Sequence, residues 1–425
     1  MKKPKATSAA GRAGYDVVII GAGAAGLAAA RALSGAGKRI CILEARPRAG
    51  GRIHSLHFAD LPVPIELGAE FIHGESETTF SIVDAASLIV AELPDDHWWS
   101  ANGKRERVDF WTEVNKIRAK IGVLKRDISF HEFLRRRREL TPYLRQLASN
   151  FVEGYHASHA DRISTEALRS ADEEQEGANR QFRIANGQDA LVAWLRAGLD
   201  PQHTDLRLGT PVTRVEWSQG SVTVHASGER IRGRALVVTI PIGVWKARAI
   251  EFDPPLREKE GALEKLEAGH VVKIAFRFRE RFWDDVNFLH TADRFMPTWW
   301  TSAPLRSNVL VGWAGGHAAD ALLAEGAEAM KEHALQSMAA AWDVPRKRLD
   351  ALLVGTFSHD WQADPWSRCA YSYAGVGGAN AHAALAKNIA GTLFFAGEAT
   401  SGDQTGTVAG AIESGQRAAR EILRR

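Results

Sequence analysis

The stretch YDVVIIGAGAAGLAAARAL, residues 15–33, decides how the chain begins to fold. Its first six residues are apolar and β-rich, as in a strand buried within a parallel sheet. Gly21, Gly23 and Gly26 follow, and an alanine-rich run typical of a helix comes next. The spacing predicts a tight turn at Gly21, close approach of a pyrophosphate at Gly23, and close packing of helix against strand at Gly26. The helix N-terminus then presents N–H groups to the phosphates.

A second predicted strand, Arg39–Leu43, ends at an acidic residue, Glu44. In dinucleotide-binding folds, a carboxylate about 20 residues beyond the glycines holds a ribose hydroxyl. Strand, glycines, helix, strand and acid in this order predict a bound dinucleotide. Arg46 and Arg52 follow closely, and both side chains are long enough to reach its phosphates.

The composition limits the class of protein. A length of 425 residues predicts two or three domains. The balance of 54 basic and 51 acidic residues argues against a dedicated partner of nucleic acid or of a membrane surface. With only Cys41 and Cys369, no disulfide framework can form, which favours the reducing cytoplasm. Residues 1–14 lack the apolar core of a signal peptide and are predicted to be a disordered leader. No apolar run reaches the roughly 18 residues of a membrane span.

Five motifs occur in order along the chain: VIIGAGAAGL with LEARPRAGGR, ELGAEFIHG, VVTIPIGV, VVKIAFRFRERFWD and LFFAGEATSGDQTGTVAGAIESG. Together they make the sequence resemble the flavin-containing amine oxidases: monoamine oxidases, polyamine oxidases and flavin-dependent histone lysine demethylases. The likeness, to soluble bacterial-type members, covers nearly the whole chain. It implies an α/β fold in which a Rossmann-like FAD-binding domain (residues 1–84, 185–265 and 385–425) is interleaved with an α+β substrate-binding domain (85–184 and 266–384).

The resemblance implies bound FAD. Glu44 would hold the adenosine ribose, and Arg46 and Arg52 would lie along the pyrophosphate. Thr407 and Val408, at the start of the last helix, would offer N–H groups to the flavin O2 edge, where a helix terminus stabilises negative charge. Further cofactor residues implied are Gly21, Gly23, Ala25, Gly26, Ala45 and Gly51 in the nucleotide motif, Gly68, Ala69, Glu70 and Phe71 beside the flavin mainly through backbone, Val212 at the adenine, Trp361 as a flavin-contacting aromatic, and Gly397 with Glu398 by the ribityl–pyrophosphate chain. No metal site is predicted.

Lys273, Tyr371 and His73 are the catalytic candidates. Lys273, in VVKIAFRF, matches the family's lysine near flavin N5. The residues alone favour a different interpretation, since Lys273 shares a strand face with Arg277 and such a lysine is usually solvated. Tyr371 matches an aromatic beside the flavin, and His73 a histidine near the substrate in polyamine oxidases. A structural role is the alternative for each of these two.

Three departures from the patterns of individual family branches refine the expectation. Ala370 stands where monoamine oxidases carry the cysteine that links to FAD, and Cys369 is one residue away, so FAD should be non-covalent. Thr407 replaces the second tyrosine of their aromatic pair. The inserted helical hairpin of the demethylases is missing, so a chromatin role is unsupported.

The implied reaction is FAD-dependent oxidation of an amine C–N bond to an imine by hydride transfer to flavin N5, with O2 reduced to hydrogen peroxide. The substrate implied first is a polyamine or a monoamine. An L-amino-acid oxidase is the alternative, but the sequence nominates no arginine for a carboxylate. Another FAD-dependent oxidase or desaturase on the same fold is disfavoured by Lys273, and a non-catalytic flavoprotein by Lys273, Tyr371 and Glu398 together. The sequence leaves open the oligomeric state and which of its 13 tryptophans line the pocket.

Overall fold

The computed structural model describes residues 14–101, 104–172 and 180–425. The predicted disordered leader therefore lies, except for Gly14, outside the described residues. Within the described ranges, no helix is both long and apolar enough to cross a membrane.

Two large β-sheets and their covering helices make up most of the described chain. The strands are β1 Tyr15–Ile20, β2 Ile40–Leu43, β3 Ser55–Leu56, β4 Ile65–Glu66, β5 Phe71–His73, β6 Val90–Glu92, β7 His97–Ala101, β8 Lys104–Arg107, β9 Gln181–Ile184, β10 Thr204–Arg207, β11 Val212–Ser218, β12 Ser221–Ala226, β13 Glu229–Val238, β14 Glu251–Asp253, β15 Leu266–Ala268, β16 Val271–Phe278, β17 Phe288–Thr291, β18 Thr298–Trp300, β19 Val309–Gly315, β20 Leu353–Ser358, β21 Ser372–Ala374 and β22 Leu393–Phe395. The helices are α1 Ala24–Gly35, α2 Glu77–Ala85, α3 Phe110–Arg118, α4 Phe130–Arg136, α5 Pro142–Tyr155, α6 Thr165–Asp172, α7 Asp189–Ala197, α8 Ile242–Lys246, α9 Arg257–Lys265, α10 Gly316–Glu325, α11 Ala327–Trp342, α12 Arg346–Leu352, α13 Ala381–Ala386 and α14 Val408–Leu423, with a 3₁₀ turn at Glu398–Thr400.

The first sheet has the order β10-β2-β1-β13-β12-β11-β14, and β22 also pairs with β13. Strands β10, β2, β1, β13 and β22 are parallel. Helices cover this parallel part, and its neighbouring strands β1 and β2 are accordingly largely apolar, as YDVVII and ICIL show. The predicted strand at Tyr15–Ile20 is confirmed, and the second begins at Ile40 instead of Arg39.

The second sheet has the order β20-β16-β19-β18-β17-β7-β8. Its pairings are antiparallel except that β7 runs parallel to β17. One face packs on α10 and α11 through a buried cluster that includes Ile274, Phe276, Trp299 and Met338. The stretch GAEAMKEHALQSMAAAW, residues 326–342, has the apolar spacing of an amphipathic helix and contains α11. Because strand side chains alternate between faces, Lys273 points away from this cluster.

The division between the two sheets follows the predicted domains. Every strand of the first sheet falls in a segment assigned to the FAD-binding domain, and every strand of the second in a segment assigned to the substrate domain. A small sheet of order β5-β9-β6 joins the two predicted domains. Strand β5 lies in a segment assigned to the FAD-binding domain, and β9 and β6 lie in a segment assigned to the substrate domain. The domain boundaries themselves stay a prediction.

Candidate active site

A cavity of about 600 Å³ extends from the first sheet to the second. On the first sheet its lining includes Ile20, Leu43 and Thr239, at or just beyond the carboxyl ends of β1, β2 and β13. Ligands of open α/β sheets bind at this edge. The volume lies within the ordinary range of roughly 300–1,000 Å³ for ligand sites.

The glycines after β1 form a cradle that fits a pyrophosphate. Gly21 has φ +102°, and a Cβ on Gly26 would lie 2.0 Å from the Gly21 carbonyl oxygen, so helix and turn touch here. A Cβ on Gly23 would meet no atom of the described residues within 4 Å, so this position opens onto space. Helix α1 begins there without a side-chain cap and without an acidic residue in its first turn. Its N–H groups and dipole are therefore available to an anion.

Glu44 is buried at the end of β2 and lines the cavity. One carboxylate oxygen accepts the Ala22 N–H at 2.8 Å and the other accepts the Arg46 N–H at 2.8 Å. These contacts fix the carboxylate at the cradle. Each oxygen has a further lone pair, so the group can still accept from ribose hydroxyls. The residues present thus fit the adenosine half of FAD.

Arg46 and Arg52 both line the cavity, but the protein itself already anchors their guanidinium groups. Arg46 pairs with Asp364 at 2.8 Å. Arg52 donates to the Ala370 carbonyl at 2.6 Å and pairs with Glu398 at 3.0 Å. Because a guanidinium has five N–H donors, both arginines keep donors for phosphate oxygens.

Lys273 is buried, with only 6% of the residue exposed, and lines the cavity. Its ammonium lies 2.6 Å from a Glu70 carboxylate oxygen and donates to the Gly68 carbonyl at 3.0 Å. The interpretation of Lys273 as a solvated strand lysine is therefore wrong. Arg277, on the same strand face, does reach outward and pairs with the exposed Asp60.

Glu70 holds a second cation as well. Arg183 lies 2.9 Å from its other oxygen, and Trp300 Nε1 donates to that oxygen at 3.2 Å. Burial alone would raise the pKa of Glu70, but Lys273 and Arg183 outweigh it, so the pKa lies below its ordinary value. The result is a buried group of two cations around one anion. The Glu70 side chain therefore does more than the backbone contact predicted for it.

Tyr371 and His73 lie on the walls of the same cavity. The Tyr371 hydroxyl donates to the Tyr155 carbonyl at 2.8 Å, and burial raises the pKa of this phenol, so it stays neutral. Burial lowers the pKa of His73 to about 4, so this imidazole is neutral near pH 7. Its Nδ1 is a buried atom without a hydrogen-bond partner among the described residues.

Helix α14 begins at the cavity with Val408. Thr407 caps it by accepting the Gly410 N–H at 2.9 Å. The Thr407 N–H donates to the Gln404 carbonyl at 3.3 Å, so it is already engaged. The Val408 N–H, the second group predicted to face the flavin, has no acceptor among the described residues. It is therefore the better placed of the two to donate to a ligand.

One predicted site residue, Gly26, does not line the cavity and serves the helix–strand contact already described. The others that the structure brings together around the cavity are Gly21, Gly23, Ala25, Glu44, Ala45, Arg46, Gly51, Arg52, Gly68, Ala69, Glu70, Phe71, His73, Val212, Lys273, Trp361, Tyr371, Gly397, Glu398, Thr407 and Val408.

Several residues in the cavity lining, and Arg183 behind it, carried no signal in the sequence. Arg183 stands in no motif and reaches Glu70 because β9 pairs with β5, where Phe71 opposes Arg183. Of the pair Trp299–Trp300, only Trp300 faces the cavity, since successive strand residues point to opposite faces. The alternation of side chains along the strand TWW, residues 298–300, is the signal that could have told the buried Trp299 from the cavity-lining Trp300. The other cavity-lining aromatics that the sequence did not single out are Phe110, Trp111, Phe151, Tyr155, Phe288, Trp313, Trp366 and Tyr373.

Outside the cavity lining, His159, His270 and Asp320 form a group with metal-ligand chemistry. The histidine nitrogens lie 2.7 and 2.6 Å from the two oxygens of Asp320. These are lengths of charge-assisted hydrogen bonds, and a metal ion would hold its ligand atoms further apart. We therefore interpret the group as a carboxylate bridging two imidazoles.

A glycine cradle for a dinucleotide, joined to a buried lysine and an aromatic chamber on a second sheet, defines a two-sheet flavoprotein oxidoreductase. The chain belongs to the flavin-containing amine oxidoreductases, whose family model matches residues 24–423. It uses FAD and oxidises amines.

Individual relatives agree with this assignment. Polyamine oxidase 3 of Oryza sativa is 30% identical over 96% of this chain and 89% of its own length. Human lysine-specific histone demethylase 2 is 28% identical, but the matched region spans only 53% of that protein. Putrescine oxidase with bound putrescine (23% identity, 97% and 100% of the two chains) and cyclohexylamine oxidase from Brevibacterium oxydans (20%, 97% and 100%) share the fold, each with a TM-score of 0.82.

Proposed function

We propose that this chain oxidises the C–N bond of a small-molecule amine to an imine, in the cytoplasm, with non-covalent FAD and with O2 reduced to hydrogen peroxide. The chemistry that FAD would supply when bound is that of a hydride acceptor, which takes a hydride equivalent from the carbon that bears the nitrogen. The observation that carries the proposal is Lys273, held by Glu70 where the nucleotide cradle meets the aromatic chamber. Both cysteines are free and buried, which supports a reducing compartment.

The chamber walls prepare the amine for oxidation. Phe71, Tyr155 and Trp300 line the chamber, and the face of an aromatic ring attracts a cationic amine electrostatically. Burial among them disfavours the ammonium form, so the bound amine loses its proton more readily. The Lys273 ammonium repels a second positive charge nearby, which acts in the same direction.

A peroxide-release screen over monoamines, polyamines and amino acids tests the proposal. Flavin reduction and peroxide formation with an amine are expected, and the absence of both with every amine would contradict it. Arg118 lines the cavity and favours the amino-acid alternative, because a guanidinium can pair with a substrate carboxylate. A faster reaction with an α-amino acid than with the amine lacking its carboxylate would select that alternative.

We expect acid treatment to release intact FAD from the purified protein. Ala370 lines the cavity, whereas the Cys369 thiol is fully buried and donates to the Ser367 carbonyl at 3.4 Å. Burial raises the pKa of Cys369 to about 11, so the thiol stays protonated and poorly nucleophilic. The measurement is flavin absorbance in the supernatant after acid precipitation. Flavin that remains with the denatured protein in detergent would show a covalent link.

A further inference from the structure

We propose that His97 and His290 form a distal subsite that binds a neutral hydroxyl group of the substrate, so that hydroxylated monoamines are preferred to polyamines. This inference rests on the proposed amine oxidation and extends it to the substrate class. The argument depends on how the second sheet arranges the chamber floor.

One row of side chains crosses that floor, with one residue from each of four neighbouring strands. Lys273 is in register with Trp313, Trp313 with Thr298, and Thr298 with His290. Residues in register point to the same face, and all four line the cavity. Neighbouring strands are about 4.8 Å apart, so three steps separate Lys273 and His290 by roughly 14 Å across the sheet. That span suits one aromatic ring with a short alkylamine arm.

The two imidazoles form one flat unit. His97 Nδ1 and His290 Nε2 are 2.9 Å apart, and the rings are inclined by only 7°. Phe110 stacks on both, with ring centroids 4.7 Å from His97 and 4.4 Å from His290. Phe288 also stacks on His97, at 4.8 Å. Stacking fixes the plane of the pair before any ligand arrives.

The hydrogen bonding of the pair leaves one nitrogen for a ligand. His97 Nε2 lies 3.3 Å from the Asp95 carboxylate, which can only accept, so this nitrogen carries a proton. His290 uses Nε2 within the pair, and its Nδ1 has no hydrogen-bond partner in the described chain. A neutral imidazole has a single N–H, so His97 Nδ1 accepts from His290 Nε2, and His290 Nδ1 is left with a lone pair. A substrate hydroxyl can donate to this lone pair, and so could an ammonium, so the charges around the chamber decide between them.

The charges around the chamber oppose a second ammonium. Across the described residues of the predicted substrate domain, the cavity lining contains Arg118 and Lys273 but no aspartate or glutamate. Burial lowers the pKa of His290 well below its ordinary value, and the pKa of His73 to about 4. The Asp95 carboxylate beside His97 lies outside the cavity lining and already pairs with that ring, so the distal ammonium of a polyamine would lose its hydration without an opposite charge in the lining, which is unfavourable. A neutral hydroxyl avoids this cost.

Tyramine and phenethylamine test the subsite, because they differ only by the phenol hydroxyl. We expect wild-type kcat/KM to favour tyramine about fivefold, the effect of one net hydrogen bond. His290→Phe keeps the aromatic stack but removes the ring nitrogens, so the ratio should fall to about one while phenethylamine oxidation continues. His333→Phe is the matched control, since His333 stacks on Phe295 at 4.0 Å away from the cavity and should leave the ratio unchanged.

A ratio near one in the wild type, or a ratio that survives His290→Phe, would overturn the subsite. Faster oxidation of spermidine than of either monoamine would overturn the substrate class. If His290→Phe does not fold, His97→Phe makes the same comparison, because loss of His97 Nδ1 removes the hydrogen bond that fixes which nitrogen of His290 carries the proton. Absence of peroxide from every amine is a different result, which refutes the amine oxidation on which this inference rests.

Discussion

Lys273→Met is expected to yield a folded, yellow protein that oxidises amines at least about tenfold more slowly, a barrier increase of roughly 1.4 kcal/mol. Methionine keeps most of the side-chain bulk but removes the charge and the donors. Glu70 keeps its contact with Arg183 at 2.9 Å, so the substitution does not leave a buried anion without a partner. FAD should stay bound, because its predicted contacts lie mainly along the nucleotide cradle.

Rapid mixing under anaerobic and then aerobic conditions measures the reductive and oxidative half-reactions separately. Arg277→Met is the matched control, since Arg277 lies on the same strand and face but outside the cavity lining. It should leave both half-reactions unchanged. Wild-type rates for Lys273→Met with a confirmed substrate would show that Lys273 has no part in either half-reaction.

Glu44→Ala is expected to weaken FAD binding by roughly 1.5–3 kcal/mol, the range for hydrogen bonds to a charged group, which is about tenfold to just over a hundredfold in Kd. The substitution removes the carboxylate predicted to hold the ribose. It also leaves the N–H groups of Ala22 and Arg46 without their acceptor at the cradle. Turnover should change less once the variant is saturated with FAD, because Glu44 lies at the nucleotide end of the cavity.

Titration of the apoprotein with FAD, followed by quenching of flavin fluorescence, measures this effect. Glu229→Ala provides the control on the same sheet: its carboxylate is 70% exposed, pairs with Arg207, and lies away from the cavity. FAD affinity should be unchanged in that variant. The assignment of Glu44 fails if both variants bind FAD as tightly as the wild type.

The nucleotide half of the site could be predicted because its signals are local. Gly21 and Gly26 are needed by a turn and a contact within a few residues of each other, and Glu44 ends the neighbouring strand. The strand at Tyr15–Ile20 and the helix α11 likewise follow from short hydrophobic patterns. Such features depend on backbone geometry and on burial of one face, and neighbouring residues determine both.

Only the tertiary structure decided the substrate half. The pattern around Lys273 predicted a solvated side chain, and its burial depends on Glu70, 203 positions earlier in the chain, at 2.6 Å. Arg183 completes that group through the pairing of β9 with β5. The His97–His290 pair likewise joins strands 193 positions apart. A single sequence records which side chains are polar, but strand register across a sheet decides which of them meet, and register is set by the packing of the whole fold.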